Sequence, residues 1–346
     1  MKTLFALLIG LQAFLALADE LNIELLKAIG NDRTRWVAHS RGAEARECFR
    51  IVDSDGKPVT NANVRCAFKV RAGASGLRDV YGVTGTNGLC TITGTCRAYM
   101  DYSVEKDGYY CSHGKVDYME TTRVPAVADG KWQPYGETRT VVLKRIKNPY
   151  AVKVFSGEQC HRKIPAFEQW LPFDMEQSDW LAPYGKGVYG DVLLRFEKAG
   201  SGRVGDFAYS MEACFTNNPH AGFYCKPMDV FSDLKTDYNA DTNAIFCVNY
   251  RFLIDAISNG PVKKMGIEKG SYLVFRTRTR VDENGRLIGA HYGKYSGSWR
   301  SDRKELHFGG GCFNPVENDN NIEGEQNLHY AIRNYKNMKK RKTDGK

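Results

Sequence analysis

Apolar residues recur at every second position over short runs, and clusters of Gly, Asn and Asp separate those runs. Residues 48–52, 62–70, 89–92, 102–106 and 140–144 read as strands, the clearest being the one in which Val64, Cys66 and Phe68 alternate with polar neighbours. Between them lie the turn sequences Asp53-Ser54-Asp55-Gly56, Thr86-Asn87-Gly88 and Asp107-Gly108. No helical period stands out in this block, which predicts a β-sandwich. Asn148-Pro149 favours extended chain and marks a boundary. Beyond it, residues 150–155, 188–196, 206–215, 250–254 and 304–308 again read as strands. The strongest local signal is a hairpin, 270–281 and 286–292, turning on Asp282-Glu283-Asn284-Gly285.

The N-terminus carries a different pattern. Met1, Lys2 and Thr3 precede an apolar run over 4–18, interrupted only by Gly10 and Gln12 and closing on Ala16-Leu17-Ala18. A basic start, a short apolar core and a small-x-small site predict a secretory signal peptide cleaved after Ala18. The run is shorter than the roughly 20 residues a membrane span needs, and no later stretch is long enough to span. The expected fold class is therefore all-β: two antiparallel β-sandwich domains in tandem after a signal peptide. Expected boundaries are signal peptide 1–18, extension 19–46, first sandwich 47–146, second sandwich 147–324, then a short helix and basic tail over 325–346. The expected location is secreted or periplasmic.

Three segments of the first block resemble a known family. Val52-Asp53-x-x-Gly56-x-Pro58-Val59-x-x-Ala62-x-Val64, then Thr84-x-x-Asn87-Gly88, then Tyr102-Ser103-Val104-x-Lys106-x-Gly108-Tyr109 are similar in sequence and spacing to the carboxypeptidase regulatory-like (prealbumin-like) domain. The resemblance covers about 47–145 and implies a seven-stranded, non-catalytic sandwich, with an insertion around 72–77. A neighbouring zinc peptidase is excluded, because no His-x-x-Glu with a downstream His is present. The second block carries no such resemblance.

Composition changes the picture at two points. The chain is 42% hydrophobic and 26% charged, which excludes wholesale disorder and coiled coil. Its formal net charge is +9, but Lys336, Lys339, Lys340, Arg341, Lys342 and Lys346 against Asp344 put five of those charges in the last twelve residues. Basicity is thus largely a property of the tail, and with no basic-aromatic module visible, nucleic acid is not an expected partner. The ten cysteines, in an exported protein, should pair rather than bind zinc. No C-x-x-C occurs, and adjacent Cys160 and His161 point apart in a strand. Cys214 with Cys225, on either side of a turn-rich segment, is the first expected disulfide and Cys90 with Cys96 the second.

Candidate chemistry is sparse. Phe167, Trp170, Phe173, Trp180 and Tyr184 crowd a segment rich in Pro and Gly, with Asp174, Glu176 and Asp179 among them. Such a segment either presents a stacking platform for a ligand, in which Trp170, Trp180, Tyr184 and Asp179 are the named residues, or plugs the joint between sandwiches. Arg276, Arg278 and Arg280 recur at period two and so share a strand face, where they could hold an anionic group or simply meet solvent. Asp237, Asn239 and Asp241 begin like a calcium loop, but Thr242 and Val248 stand where an EF-hand needs Gly and Glu, leaving a non-EF calcium site or a polar loop. Ser301-x-x-Lys304 and the run Gly309-Gly310-Gly311 lack the companion motifs that would make them catalytic. The leading expectation is a non-catalytic protein binding a surface glycan or protein, without a required cofactor, calcium aside. A secreted hydrolase of polysaccharide or peptide, or a structural envelope component, is the alternative.

Overall fold

The structure, a computed structural model, describes residues 27, 30–71, 76–149, 152–155, 157–203, 206–215, 220–256, 263–265, 270–296, 300–302, 305–308 and 310–324. The expected signal peptide, most of the 72–77 insertion, and the expected helix and tail over 325–346 lie outside the described residues. The chain divides into two compact units, Met1–Arg145 and Ile146–Lys346. Both are built of strands, and the fold is all-β.

In the first unit α1 (Arg33–Arg41) precedes β1 (Ala43–Asp53), β2 (Asn63–Lys69), β3 (Leu77–Val83), β4 (Leu89–Cys96), β5 (Tyr99–Glu105), β6 (Ser112–Asp117), β7 (Val127–Ala128), β8 (Lys131–Trp132) and β9 (Glu137–Leu143). One sheet is wholly antiparallel, in the order β3-β2-β5-β6. The other centres on β1, antiparallel to β4 and parallel to β9 over Glu47 to Asp53. Their inward positions, Phe49 and Ile51 on β1, Ile92 on β4, Val64 and Phe68 on β2, Met100 and Val104 on β5, form one core. The period-two pattern puts these residues on the facing sides, which is why it was readable.

The segment expected as an extension, 19–46, contributes to this core. Asp32 caps α1, accepting from Thr34 N at 3.0 Å, and also accepts from Ala126 N at 2.6 Å. Ala38 packs into the core and β1 starts at Ala43. A helix of nine residues with few apolar positions leaves no clear helical period; its cap and its docking hold it.

In the second unit follow β10 (Lys153–Phe155), β11 (His161–Lys163), β12 (Trp170–Asp174), β13 (Asp179–Trp180), β14 (Val192–Arg203), β15 (Asp206–Cys214), β16 (Gly222–Pro227), β17 (Asn249–Ala256), β18 (Lys263–Met265), β19 (Ser271–Val281), β20 (Leu287–Ser296), β21 (Arg300–Asp302), β22 (Glu305–His307) and β23 (Gly311–Phe313). They form a six-stranded sheet β13-β12-β14-β15-β17-β18, a five-stranded sheet β10-β23-β20-β19-β16 and a small sheet β11-β22-β21. Leu171, Phe173, Leu194, Phe196 and Met211 of the first sheet share a core with Phe223, Leu273, Phe275, Tyr295 and Phe313 of the second. Leu306 of the small sheet, with Ile164 and Phe308, packs into the same core. The hairpin expected at 270–292 is β19–β20, with Asp282 Oδ1 accepting from Asn284 N and Arg286 N at 2.9 and 2.8 Å.

The two expected disulfides are not formed, and the strands say why. Cys90 and Cys96 sit at opposite ends of the single strand β4, opposite Phe49 and Ala43. Six residues of strand separate them by about 20 Å, against the roughly 4.4–6.8 Å a bridge allows. Cys214 alternates with inward-facing Ala213 and so lies on the outer side of the six-stranded sheet, whereas Cys225 is on β16 of the five-stranded sheet.

Candidate functional site

The aromatic segment forms the edge of the six-stranded sheet. On β12 the residues alternate, so Trp170 and Pro172 face outward while Leu171 and Phe173 face the core. Trp170 stands opposite Arg195 and Pro172 opposite Leu193 on β14. Leu181 N donates to Pro172 O at 3.1 Å, and the turn from Leu181 to Tyr184 follows, closed by Tyr184 N donating to Leu181 O at 3.0 Å. Gly190 lies against Pro172 and Leu181, where a Cβ would make ordinary contacts of 3.5 Å to Pro172 Cβ and 3.7 Å to Leu181 Cδ2. Trp170 is 42% exposed and Tyr184 49%, and Val188 and Tyr189 are also exposed. Arg195 Nη2 is 2.9 Å from Glu197 Oε1, placing an ion pair on the outer side of β14.

Trp180, expected in the same platform, is corrected to a core residue. It is 2% exposed, its ring packs edge-on against Phe173 at 5.0 Å and Phe196 at 5.9 Å, and its Nε1 donates to Lys163 O at 2.7 Å. Asp179 faces the protein too, accepting from Trp180 N at 2.9 Å and Lys186 N at 3.1 Å. Of the four expected platform residues, then, only Trp170 and Tyr184 present an aromatic surface.

The three arginines do not act together. β19 shifts register between Thr277 and Arg280, and Arg278 takes φ +50, so the period-two alternation breaks. Buried Arg276 lies 3.9 Å from the Phe246 ring centroid and donates Nε to His220 O at 2.6 Å and Nη1 to Thr242 O at 3.1 Å. Arg280 is bidentate to Glu317, at 2.7 and 2.8 Å. Arg278 enters a pocket of acids, donating to Asp191 at 2.9 and 3.1 Å, to Glu176 at 2.6 Å and to Asp174 at 3.3 Å. An anion-binding face is thereby replaced by two internal anchors, Arg276 and Arg278, and one exposed ion pair, Arg280 with Glu317.

This hub shapes the aromatic edge. Asp174, fully buried, accepts from Glu176 N and Gln177 N through one oxygen and from Val188 N and Tyr189 N through the other. Asp191 also accepts from Met175 N at 2.9 Å. Burial pushes the Asp191 carboxyl above the usual carboxylate range, with Arg278 opposing that shift. The acids of the segment are therefore committed to its backbone and to Arg278.

In the expected calcium loop, two of the three residues make side-chain contacts within the protein. Asp237 pairs with Lys226, Asn239 bridges Asn321 in the backbone, and Asp241 Oδ1 accepts from Asn243 N at 3.0 Å. Ser301 lies on β21, and Lys304 and Gly309 lie outside the described residues.

One constellation has no counterpart in the sequence motifs. On β11 and β22, His161 stands opposite His307 and Lys163 opposite Glu305. The Nδ1 atoms of His161 and His307 are 2.7 Å apart, their rings edge-on, and Glu305 Oε2 is 3.6 Å from His307 Nε2. One donor atom from each of the three residues lies within 4.8 Å of the others. A cleft of about 460 Å3 opens beside them, lined by Gly157, Glu158, His161, Lys163 and Glu305. The separation of 146 positions along the chain hid the histidine pair from any spacing rule.

No protein-family model matches the chain, and no curated protein matches it. Over about 30% of its length the chain is similar to two solved enzymes at 10% identity and a TM-score of 0.24: 3-chlorocatechol 1,2-dioxygenase from Rhodococcus opacus 1CP and chlorocatechol 1,2-dioxygenase from Pseudomonas putida. It is similar over 31% to catechol 1,2-dioxygenase from Acinetobacter sp. ADP1, at 14% identity and a TM-score of 0.22. The overlap spans 61% of the first two enzymes and 54% of the third. At this level the likeness carries no argument about chemistry.

Proposed function

We propose that this is an exported, non-catalytic β-sandwich protein whose second unit binds a surface glycan through the aromatic edge of its six-stranded sheet. The observation that carries this reading is the exposure of Trp170 and Tyr184 on one sheet edge. Exposed large aromatics offer flat apolar faces on which the C–H faces of a sugar ring stack, while their polar atoms and a neighbouring ion pair such as Arg195–Glu197 engage hydroxyls. The rigid backing comes from Arg278 and its acids, which hold the segment without lending it a reactive group. Stacking needs no cofactor. The export signal over 1–18 and the regulatory-like sequence features of the first block support the same reading, since that family supplies accessory modules in exported proteins. An array of neutral and acidic surface polysaccharides tests it: the purified protein is expected to be retained on a subset. Retention on none of them contradicts the proposal.

A further inference from the structure

We infer that His161, His307 and Glu305 form a binding site for a divalent transition-metal ion, with zinc the ion their donor set fits. The site is separate from the aromatic edge and does not depend on it.

The argument starts from the contact between the two imidazoles. Two unprotonated ring nitrogens repel, so an Nδ1–Nδ1 distance of 2.7 Å requires one proton between them. Two nitrogens bound to one tetrahedral zinc at about 2.0–2.1 Å would stand about 3.3 Å apart. Replacing the shared proton by a metal ion thus needs the rings to part by only about half an ångström. The strand arrangement allows it. β22 is the central strand of its small sheet, and Leu306 between the two ligand positions is anchored in the core, so His307 and Glu305 are fixed. β11 is an edge strand of three residues and His161 is exposed, so its ring can give way.

The chemistry of the donors selects the ion. Two imidazoles and one carboxylate suit zinc and its borderline neighbours, whereas calcium and magnesium demand oxygen ligands. Period two puts Glu305 and His307 on the same face of β22, and antiparallel pairing sets His161 opposite His307. Leu306 turns the other way, into the core. The cleft lined by Glu158 and Lys163 leaves a further coordination position open to water. Glu158 and Glu305 against Lys163 leave the cleft lining net negative, which favours a cation.

The test uses the full purified chain, freed of metal with a chelator and titrated calorimetrically with zinc chloride. Cobalt(II) serves as a spectroscopic substitute that separates imidazole–carboxylate ligation from binding to the ten cysteines. One equivalent of zinc is expected to bind. The cobalt form should show tetrahedral or five-coordinate d–d bands without a sulfur charge-transfer band. His161→Ala and His307→Ala should each weaken zinc binding at least about 100-fold, since even the outer partners of metal ligands cost about 10–100-fold when removed. Glu305→Gln should weaken it less. Exposed His161 can be truncated without touching the core, so that variant keeps the test decisive if His307→Ala fails to fold. No zinc binding, zinc binding unchanged by His161→Ala, or a thiolate cobalt spectrum overturns the inference.

Discussion

Arg278 shows how one side chain can replace a binding face by an anchor. Its guanidinium meets Asp174, Glu176 and Asp191 and lies over the rings of Tyr189 at 4.1 Å and Phe313 at 4.8 Å. Arg278→Ala would strand two buried carboxylates, a loss expected at about 3–5 kcal/mol by urea denaturation. Arg278→Lys should recover little of it, because an ammonium cannot reproduce the planar fork that reaches three acids. A denaturation midpoint unchanged in Arg278→Ala would show that the hub is not structural. Nothing in the sequence separated Arg278 from Arg276 and Arg280, since period two treats them alike; the register shift and the acids arriving from residues 174–191 lie outside any local pattern.

Glu47 is a second residue whose environment inverts its outward polarity. It is buried in the first unit, accepting from Tyr118 Oη at 3.0 Å, with Arg139 Nε 3.7 Å from its other oxygen. Burial raises its pKa above the ordinary glutamate value, against the lowering pull of Tyr118 and Arg139. Between the unfolded and the raised folded value, the folded state holds more protons than the unfolded state. Stability supplied by this group is therefore complete below the unfolded value and is lost as pH rises through the folded one. Glu47→Gln should flatten that fall, read as the urea midpoint against pH from 4 upward. Parallel curves for the two proteins would count against it.

At the scale of elements, strands were readable where one face is buried and the other wet. The alternation of Val64, Cys66 and Phe68 and the Asp282-Glu283-Asn284-Gly285 turn both gave the observed β2 and the β19–β20 hairpin. Strand length and pairing between distant strands were not readable: the pattern over 89–92 gave no sign that β4 runs on to Cys96, which is why Cys90 and Cys96 looked like partners, and the parallel β1–β9 ladder carried no signal. α1 was missed because capping and docking, not periodicity, define it. Elements approach closely at Gly293, on β20 between β19 and β23. A Cβ there would lie 2.1 Å from Phe275 Cζ and 2.4 Å from Cys312 O, a backbone atom that cannot step aside. Gly293→Ala should cost about 1–3 kcal/mol or more through overpacking, seen as a lowered melting temperature. A tolerated alanine would mean that β23 is less closely seated than described.

At the scale of the whole molecule, each unit closes its own core, and no helix among the described residues is long and apolar enough to cross a membrane. The candidate site was half legible. The crowding of aromatics between 167 and 184 located the sheet edge, but which indole faces water is set by alternation on β12 and by the bond from Trp180 to Lys163 O. The central claim, an aromatic edge that binds sugar, is tested most directly by comparing Trp170→Ala and Trp180→Ala with the parent. The measurement is the binding isotherm for the array-selected glycan, alongside the melting temperature. Trp170→Ala is expected to weaken binding at least about tenfold, or ~1.4 kcal/mol, with an unchanged melt. Trp180→Ala should lose about 3–5 kcal/mol of stability as a core truncation. Full binding by a normally melting Trp170→Ala protein would contradict the account.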